Sequence, residues 1–342
     1  QTKITKGISM NLEQTAGAGD YKTVTQSSWP TEGYKFNAEL SKCEKGSTLS
    51  WDDTKKAVIV SGNLSDKCYV YFDLARFDET CDGSTLACRI AKQYTGTQGE
   101  NSLYYHNSTL TNGAGDNSYR YAGASASVNN YICLGSDATT CPDANLFRII
   151  GVFGDQTKVI RAKSVGNQKW HTSDSTNTWS SSSLNTYLNG TYLTSLGTLA
   201  EKIATTTWKV GGGSSKYLRD VPATAYQYEV GSSASTTTVD KKIGLMYVSD
   251  YGFAADQSGW TTKLSSYNSN KSKNWLNTGR YIEWTLSRNS DNTSNAFGVN
   301  STGYVDNYNV TKSYVVRPSF NLESSVKYVS GSGSMSDPVR VN

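Results

Sequence analysis

The sequence predicts a protein of the α+β class in which strands dominate and helices are few and short. Tyr, which favours strands, occurs 23 times, and Gly, which supplies turns, occurs 30 times. A helix is indicated where Leu184, Leu188 and Leu196 recur near helical spacing, with Ser182 or Ser183 as its N-cap. A chain of 342 residues is long enough to bury a sizeable core and to divide into two domains.

Residues 1–75 predict a small all-β module with an N-terminal strand. The segment TLSWDDTKKAVIV (48–60) reads as two strands around a DDTKK turn, and CYVYF (68–72) as a further strand. The weakly alternating KITKGISMNLEQ (3–14) predicts a strand that either pairs within the chain or adds to a neighbouring molecule. We expect a connector over residues 76–103, with a short helix in LACRIAKQY, and a second domain over residues 104–342.

The second domain begins with three successive strands. The runs YICLG, LFRIIGVF and TKVIRAK, separated by turn-rich loops, predict successive strands in a hairpin or meander. Further along, LAEKIATTTWKV predicts a short helix running toward a strand, and IGLMYVSDYGFA a strand entering a turn at SDYG.

Cysteine usage indicates an oxidising compartment. Six cysteines lie in the first half of the chain without a CxxC motif, which favours disulfides over a zinc or redox site. The sequence does not choose between pairings, but their proximity suggests three local bridges, Cys43 with Cys68, Cys81 with Cys88 and Cys133 with Cys141.

We therefore expect a secreted or cell-surface protein. The sequence starts at Gln1 with no apolar segment, so we expect that a signal peptide has been removed. No apolar run approaches the roughly 20 residues that span a bilayer. How the protein is anchored, if it is, is not written in the sequence.

Composition argues against several function classes. Charged residues make up 18% of the chain and the net charge is +4, without the Lys and Arg cluster of a nucleic-acid binder. Two histidines, His106 and His171, argue against a metal site, a cofactor or acid–base chemistry. No GxSxG motif is present, and nothing marks the carboxylates Glu201, Glu229, Asp250 and Glu283 as a catalytic pair, so we interpret them as solvated or capping groups. We expect no enzyme.

Several long segments carry a family resemblance: NNYICLGSDATTCPDANLFRIIGVFGDQTKVIRA (129–162), KKIGLMYVSDYGFA (241–254) and YVVRPSFNLESSVKYVSGSGSMSDPVRV (314–341). Together they resemble a family of uncharacterised secreted proteins of gut-dwelling Gram-positive bacteria. That family is similar to the C-type lectin-like fold, in the branch shared by formylglycine-generating enzymes and the variable proteins of diversity-generating retroelements. The resemblance covers residues 104–342 and implies two short helices beside a twisted, loop-rich antiparallel sheet.

Two departures from that branch matter for function. Its enzymes use a copper-binding Cys pair in the C-terminal half, whereas this chain has no Cys after Cys141. The EPN-like, QPD-like and WND-like signatures of calcium-dependent sugar binding are also absent. The resemblance therefore implies a binding fold, with sugar recognition that does not use calcium as one possibility.

The stretch Trp284–Phe320 is the predicted binding surface because it combines Tyr with Asn, Ser and Asp, as antibody loops do. The resemblance places its late strands on the ligand-binding face, while Trp284 and Arg317 are expected to belong to the scaffold. The predicted ligand-binding residues are Arg288, Asn289, Asp291, Asn292, Asn295, Phe297, Asn300, Tyr304, Asp306, Asn307, Tyr308 and Tyr314.

The sequence thus predicts an adhesin-like binding protein that recognises a glycan or a protein on a host or bacterial surface. The alternative is a structural subunit of an extracellular filament or surface layer. Copies of such a subunit would assemble by N-terminal strand addition.

Overall fold

The structure is a computed structural model that describes residues 7–25, 28–30, 33–62, 65–279 and 281–342. The chain divides into two compact units. The first comprises Gln1–Cys81 with Asn107–Thr109, and the second comprises Asp82–His106 with Leu110–Asn342. Residues 82–103, expected to form most of a connector, are part of the second unit.

The first unit contains a four-stranded sheet in the order β2-β1-β6-β3 and a separate β4–β5 hairpin. Its elements are β1 (Gly7–Glu13), β2 (Tyr21–Val24), β3 (Tyr34–Cys43), β4 (Thr48–Asp52), β5 (Ala57–Ser61), β6 (Lys67–Leu74) and the short helix α1 (Phe77–Thr80). The hairpin confirms the two strands predicted around the DDTKK turn.

Strand β1 lies inside this sheet, antiparallel to β2 on one side and parallel to β6 on the other. Residues 10–12 therefore have both edges paired within their own chain, while residues 7–9 are, among the described strands, paired with β6 only. The first residues of the KITKGISMNLEQ segment, up to residue 6, lie outside the described residues.

The core of the first unit is small. Its apolar cluster consists of Met10 and Leu12 on β1 and Val70 and Phe72 on β6. On β6 the buried positions alternate with more exposed ones, as in a strand with one inner face. The predicted Cys43–Cys68 disulfide is confirmed and links β3 to β6, where the two cysteines lie opposite each other.

The second unit is also mixed, and it confirms the α+β class. Its strands are β7 (Leu103–His106), β8 (Ser118–Tyr121), β9 (Tyr131–Cys133), β10 (Leu146–Phe153), β11 (Gln156–Arg161), β12 (Asn167–Lys169), β13 (Thr206–Lys209), β14 (Thr238–Lys241), β15 (Glu283–Arg288), β16 (Asn295–Val299), β17 (Val305–Asn309), β18 (Ser313–Val315), β19 (Ser319–Leu322), β20 (Tyr328–Ser330) and β21 (Val339–Val341). Its helices are α2 (Leu86–Ala91), α3 (Ser183–Tyr187), α4 (Leu193–Ser195), α5 (Ser215–Leu218), α6 (Pro222–Glu229) and α7 (Val248–Phe253), with a π-helical turn at Leu188–Tyr192.

Two sheets organise this unit. The larger has the order β19-β11-β10-β9-β21-β20, with β8 paired to both β10 and β7. The second has the order β12-β18-β15-β16-β17, and β13 and β14 form a two-stranded ribbon. The predicted meander is confirmed, because β9, β10 and β11 are successive antiparallel neighbours.

Local signals located some helices correctly. Helix α3 begins after Ser182, whose hydroxyl accepts the Asn185 N–H at 3.1 Å, and α2 lies within the predicted LACRIAKQY helix. The prediction for LAEKIATTTWKV was only partly correct, since Gly197–Lys202 is a 3₁₀ helix and Thr206–Lys209 is strand β13.

The prediction of a strand and turn at IGLMYVSDYGFA was wrong, because α7 begins there at Val248. The first turn of α7 is capped by buried carboxylates. Asp250 accepts the Tyr247 N–H at 2.8 Å, and Glu229 accepts the N–H groups of Val248 and Ser249 at 2.8 and 2.9 Å. Glu229 lies on α6, so this cap is not visible in the local sequence.

Cysteine pairing agrees with the expected disulfides. Cys133–Cys141 is confirmed within the second unit. Cys81 and Cys88 are also disulfide-bonded, and none of the six cysteines, which all lie in described ranges, is free. Among the described residues, none of the helices combines the length and apolar character that a membrane crossing requires.

The Cys43–Cys68 bridge predicts a measurable contribution to stability. We expect the Cys43→Ser/Cys68→Ser double variant to lower the free energy of unfolding of the first unit by about 3 kcal/mol, because the bridge closes a 25-residue separation in the unfolded chain. Urea denaturation of the full chain measures the loss. The control is the Cys133→Ser/Cys141→Ser double variant, which removes a bridge with a separation of 8 residues in the second unit. It should leave the free energy of unfolding of the first unit unchanged.

Candidate functional site

The residues predicted to bind a ligand lie on or beside β15 to β18 of the five-stranded sheet. They fall into a polar group around the loop at 289–294 and an aromatic group on β17 and β18. The structure therefore brings the predicted positions to one sheet, but it gives them different roles.

Two of these predictions were wrong. Phe297 on β16 is fully buried, so it belongs to the core. Asn289 is 3% exposed, its amide group donates to Ser215 Oγ at 3.3 Å, and its Oδ1 accepts the Asp291 N–H at 2.9 Å. Composition marked Asn289 and the family resemblance marked Phe297, whereas the capped loop and the buried run of β16 direct these side chains inward.

Much of the polar group holds the loop in place. The buried Asn177 amide donates to the carbonyl groups of Asn289, Asn292 and Asn295 at 2.7 to 2.9 Å. Arg288 donates through Nε to the Gly211 carbonyl at 2.9 Å and through a terminal nitrogen to Asn177 Oδ1 at 3.3 Å. The Asn-rich composition of this loop is thus accounted for largely by hydrogen bonds within the protein.

Edge strand β17 keeps two polar candidates half-buried. Asp306 forms an ion pair with Arg219 at 3.4 Å, and Asn307 accepts a hydrogen bond from the Asn295 amide at 2.5 Å. Asp291 is exposed, and its carboxylate accepts the Ser215 N–H at 3.1 Å.

The aromatic group is different, because its rings pack in tilted and edge-to-face contacts against a buried tryptophan. Trp284 is 1% exposed, and its indole N–H donates to the Gln168 carbonyl at 3.0 Å. Tyr314 lies 5.0 Å from the Trp284 ring and 5.4 Å from Tyr308, centroid to centroid. The Asn300 amide donates to the Tyr308 hydroxyl at 3.0 Å. Tyr308 and Tyr314 stay half-buried, so each presents part of its ring to solvent.

Arg317 belongs to the scaffold, as predicted from the sequence. It is 3% exposed, and it donates through Nε to Glu283 at 2.7 Å and through a terminal nitrogen to the Leu276 carbonyl at 2.6 Å.

A second candidate site is a cavity of about 260 Å³ in the second unit, which the sequence prediction missed. Its aromatic walls are Phe153, Trp208, Tyr226 and Tyr247. The lining carries charged side chains from the β8 region, β11, β13 and α7. These five are Asp116, Arg120, Lys158, Lys209 and Asp250.

Asp250 is the centre of the charged group. One of its oxygens accepts hydrogen bonds from Lys158 Nζ at 2.5 Å and from the Tyr247 N–H, and the other accepts one from Arg120 at 3.4 Å. Asp250, Lys158 and Arg120 are each at most 5% exposed. Charges buried this deeply need mutual compensation, because desolvation of each ion costs several kcal/mol.

Asp116 extends the group toward the cavity rim. It accepts hydrogen bonds from Arg120 at 2.7 Å and from the Ser118 N–H at 3.1 Å. Burial alone would raise the pKa of Asp116, but the Arg120 charge and the hydrogen bonds outweigh it and hold the pKa at about 2. The pKa of Lys158 is lowered by burial, which the neighbouring Asp250 charge opposes only in part.

Glu229 and His106 have structural surroundings. Glu229 was interpreted from the sequence as a solvated or capping group, and it caps α7. It also accepts a hydrogen bond from the Ser287 hydroxyl, and burial raises its pKa. His106 Nδ1 accepts the Ala114 N–H at 3.0 Å, and burial holds the pKa of this imidazole well below its usual range. No group of three or more His, Cys, Asp or Glu in the described part of the chain could hold a metal ion.

The sequence contained weak signals for the cavity. Lys158 is a charged residue inside the buried TKVI run of β11. A charge in such a run indicates a buried partner of opposite charge. Its partner Asp250 lies 92 residues away, and Arg120 lies 130 residues from Asp250. Nothing in the local pattern of either segment identifies the other.

The fold and the disulfides define a disulfide-bonded α+β protein. A family model described as a domain of unknown function (DUF6273) matches residues 154–324, half of the chain, and the chain belongs to this family. The matched part includes Lys158, Asp250 and the tyrosines of β17 and β18. No curated protein and no solved structure matches the chain.

The Asn177 amide holds the loop at 289–294, so its removal should lower the stability of the protein. We expect Asn177→Ala to lower the free energy of unfolding by about 2 kcal/mol, since three carbonyl groups lose their donor. Urea denaturation measures the loss, and hydrogen exchange should rise at residues 289–295. Thr293→Ala, which removes an exposed side chain from the same loop without removing a hydrogen bond of the described structure, is the control. Equal stability of the two variants would contradict this role of Asn177.

The low pKa of Asp116 predicts a pH dependence of stability. A carboxyl group whose pKa falls from 3.8 to about 2 on folding stabilises the protein above its unfolded pKa, and this stabilisation is lost as the pH falls from about 4 to 2. We expect Asp116→Asn to remove about 2 kcal/mol of the stability at pH 6 and to flatten this acid slope. Denaturation series between pH 6 and 2 test it, with the exposed Asp155→Asn as the control that keeps the slope.

Proposed function

We propose that this protein is a secreted or surface-displayed binding protein that recognises a glycan or a protein surface. Its binding face is the tyrosine face, which we define as Tyr304, Tyr308 and Tyr314 with the polar rim Asn300 and Asp306. The partner would be a molecule on a host or bacterial surface.

The observation that carries the proposal is a pair of half-buried tyrosines, Tyr308 and Tyr314, that pack against buried Trp284 in edge-on and tilted ring contacts. Each ring is held by its neighbours before any ligand arrives, so binding orders few additional torsions. Tyr side chains combine apolar ring area with a hydroxyl group, and they are enriched among the residues that dominate binding energy. The tyrosine face differs in this respect from the polar loop at 289–294, whose polar groups are largely hydrogen-bonded within the protein.

The chemistry of the face suits a sugar or a polar protein surface. A ring of Tyr308 or Tyr314 can pack on the apolar face of a pyranose, while Asn300 and Asp306 offer a donor and an acceptor beside it. Tyr281, just before β15, is 64% exposed and adds aromatic surface to this region of the sequence. No metal is needed for this mode of recognition.

The proposal also includes the location of the protein and the fold of its second unit. The three disulfides are consistent with an oxidising environment outside the cytoplasm, where such bonds persist. The resemblance of residues 104–342 to C-type lectin-like proteins supports that fold for the second unit, in which late strands commonly form the binding surface.

Replacement of the tyrosines tests the proposal. We expect the Tyr304→Ala/Tyr308→Ala/Tyr314→Ala variant to lose at least about tenfold in binding on a glycan array or to intact host and bacterial cells, because the anchoring rings are removed. The single variant Tyr304→Ala should weaken binding with little change in melting temperature, since no hydrogen bond of the described structure uses its side chain. It separates loss of binding from loss of folding.

The control is a second tyrosine pair of the same unit. Tyr217 and Tyr228 are half-buried and stacked at 3.5 Å between centroids, so Tyr217→Ala/Tyr228→Ala removes comparable ring area elsewhere. Equal binding by the wild-type protein and the tyrosine-face variants would overturn the proposal.

A further inference from the structure

The charged cavity of the second unit is separate from the tyrosine face in its lining residues, and the proposed function does not use it. We propose that this cavity binds a small organic carboxylate with a flat apolar body. The inference does not depend on the proposed function.

The first step is that the cavity has unused cationic donors. Lys158 Nζ carries three N–H groups, and in the described structure it donates to Asp250 alone. Lys209, which also lines the cavity, has its Nζ at the long distance of 3.4 Å from the Gly231 carbonyl. A ligand entering the cavity therefore meets ammonium N–H groups with free hydrogen-bonding capacity.

The second step is that the carboxylates are already occupied. Asp250 accepts hydrogen bonds from Lys158, Arg120 and the Tyr247 N–H. Asp116 accepts bonds from Arg120 and from the backbone and hydroxyl of Ser118. The charged lining thus offers donors more than acceptors, which favours a ligand with acceptor oxygens. A carboxylate is the strongest such acceptor, since charge-assisted bonds exceed neutral ones.

The third step concerns the apolar walls. Lys158 Nζ lies 4.6 Å from the Tyr247 ring centroid, 5.4 Å from Trp208 and 5.5 Å from Phe153. These rings surround the ammonium group and leave apolar surface around the point where the ligand oxygens would dock. A flat apolar body fits between such walls, because rings pack favourably in offset and edge-to-face arrangements.

A separate observation points to a ligand. Asn321 is only 9% exposed and lines the cavity, and its amide nitrogen donates to Thr206 Oγ1 at 3.0 Å. Its Oδ1, however, is buried without a hydrogen-bond partner in the described structure. A buried acceptor left without a donor costs about 1–3 kcal/mol, so a ligand hydroxyl or amine that donates to it would be favoured.

The size of the cavity limits the ligand. A volume of about 260 Å³ lies at the lower end of small-molecule sites, which span roughly 300–1,000 Å³. It accommodates one six-membered ring with a carboxylate but no oligosaccharide or peptide.

Benzoate is the probe, and benzamide, which has the same shape without the charge and carries an NH2 group that can donate to Asn321 Oδ1, is a stringent matched control. With the full-length protein in isothermal titration calorimetry at pH 7, we expect saturable binding of benzoate that is at least about tenfold tighter than that of benzamide. Lys158→Met, which keeps the side-chain length and removes the charge, should abolish this difference. Thr207→Trp, at an exposed lining position, should block the cavity without changing a buried charge.

A matched protein control addresses folding. Arg317→Met removes another buried cation of the same unit that is paired with Glu283 and does not line the cavity, so it should bind benzoate like the wild-type protein. Absence of saturable benzoate binding to the wild-type protein would overturn the proposal. So would equal affinity for benzoate and benzamide, full binding by Thr207→Trp, or binding of methyl glucoside in preference to benzoate, which would assign the cavity to a neutral sugar.

Discussion

The second unit depends on the burial of one carboxylate, that of Asp250. It accepts the N–H that opens α7 and pairs with Lys158 on β11 and Arg120 on β8. Each of these charges would be strongly unfavourable alone in the interior, and together they compensate one another. The helix and the two strands must therefore meet at this point, which defines where α7 lies against the large sheet.

The same network gives the cavity its chemistry. Because Asp250 and Asp116 are occupied by the two cations and by backbone N–H groups, the remaining capacity lies on the donor side, at Lys158. Lys158 is thus both part of the buried ion-pair network and the residue proposed to bind the ligand. The tyrosine face follows another principle, in which Trp284 is buried for support and Tyr308 and Tyr314 are left partly exposed above it.

Polar composition was an incomplete guide to the proposed binding surface. The structure brings the predicted positions to one sheet, and Trp284 and Arg317 are buried as the scaffold residues they were predicted to be. The prediction also selected Asn289, whose amide is used internally, and Phe297, which is buried. Residue type shows that a loop needs hydrogen bonds, but it does not show whether the partner is a ligand or a neighbouring carbonyl group, as Asn177 demonstrates.

The sequence by itself determined the features that arise from neighbours along the chain. These are the α+β class, the β9–β11 meander and the Ser182 cap of α3, because strand alternation, short loops and caps act over a few residues. Proximity along the chain only suggested the disulfides Cys43–Cys68 and Cys133–Cys141, which the structure then confirmed. Only the tertiary structure decided the start of α7, the loop held by Asn177 and the charged cavity. Each requires contacts between residues 19 to 130 positions apart, whose partners no local pattern identifies.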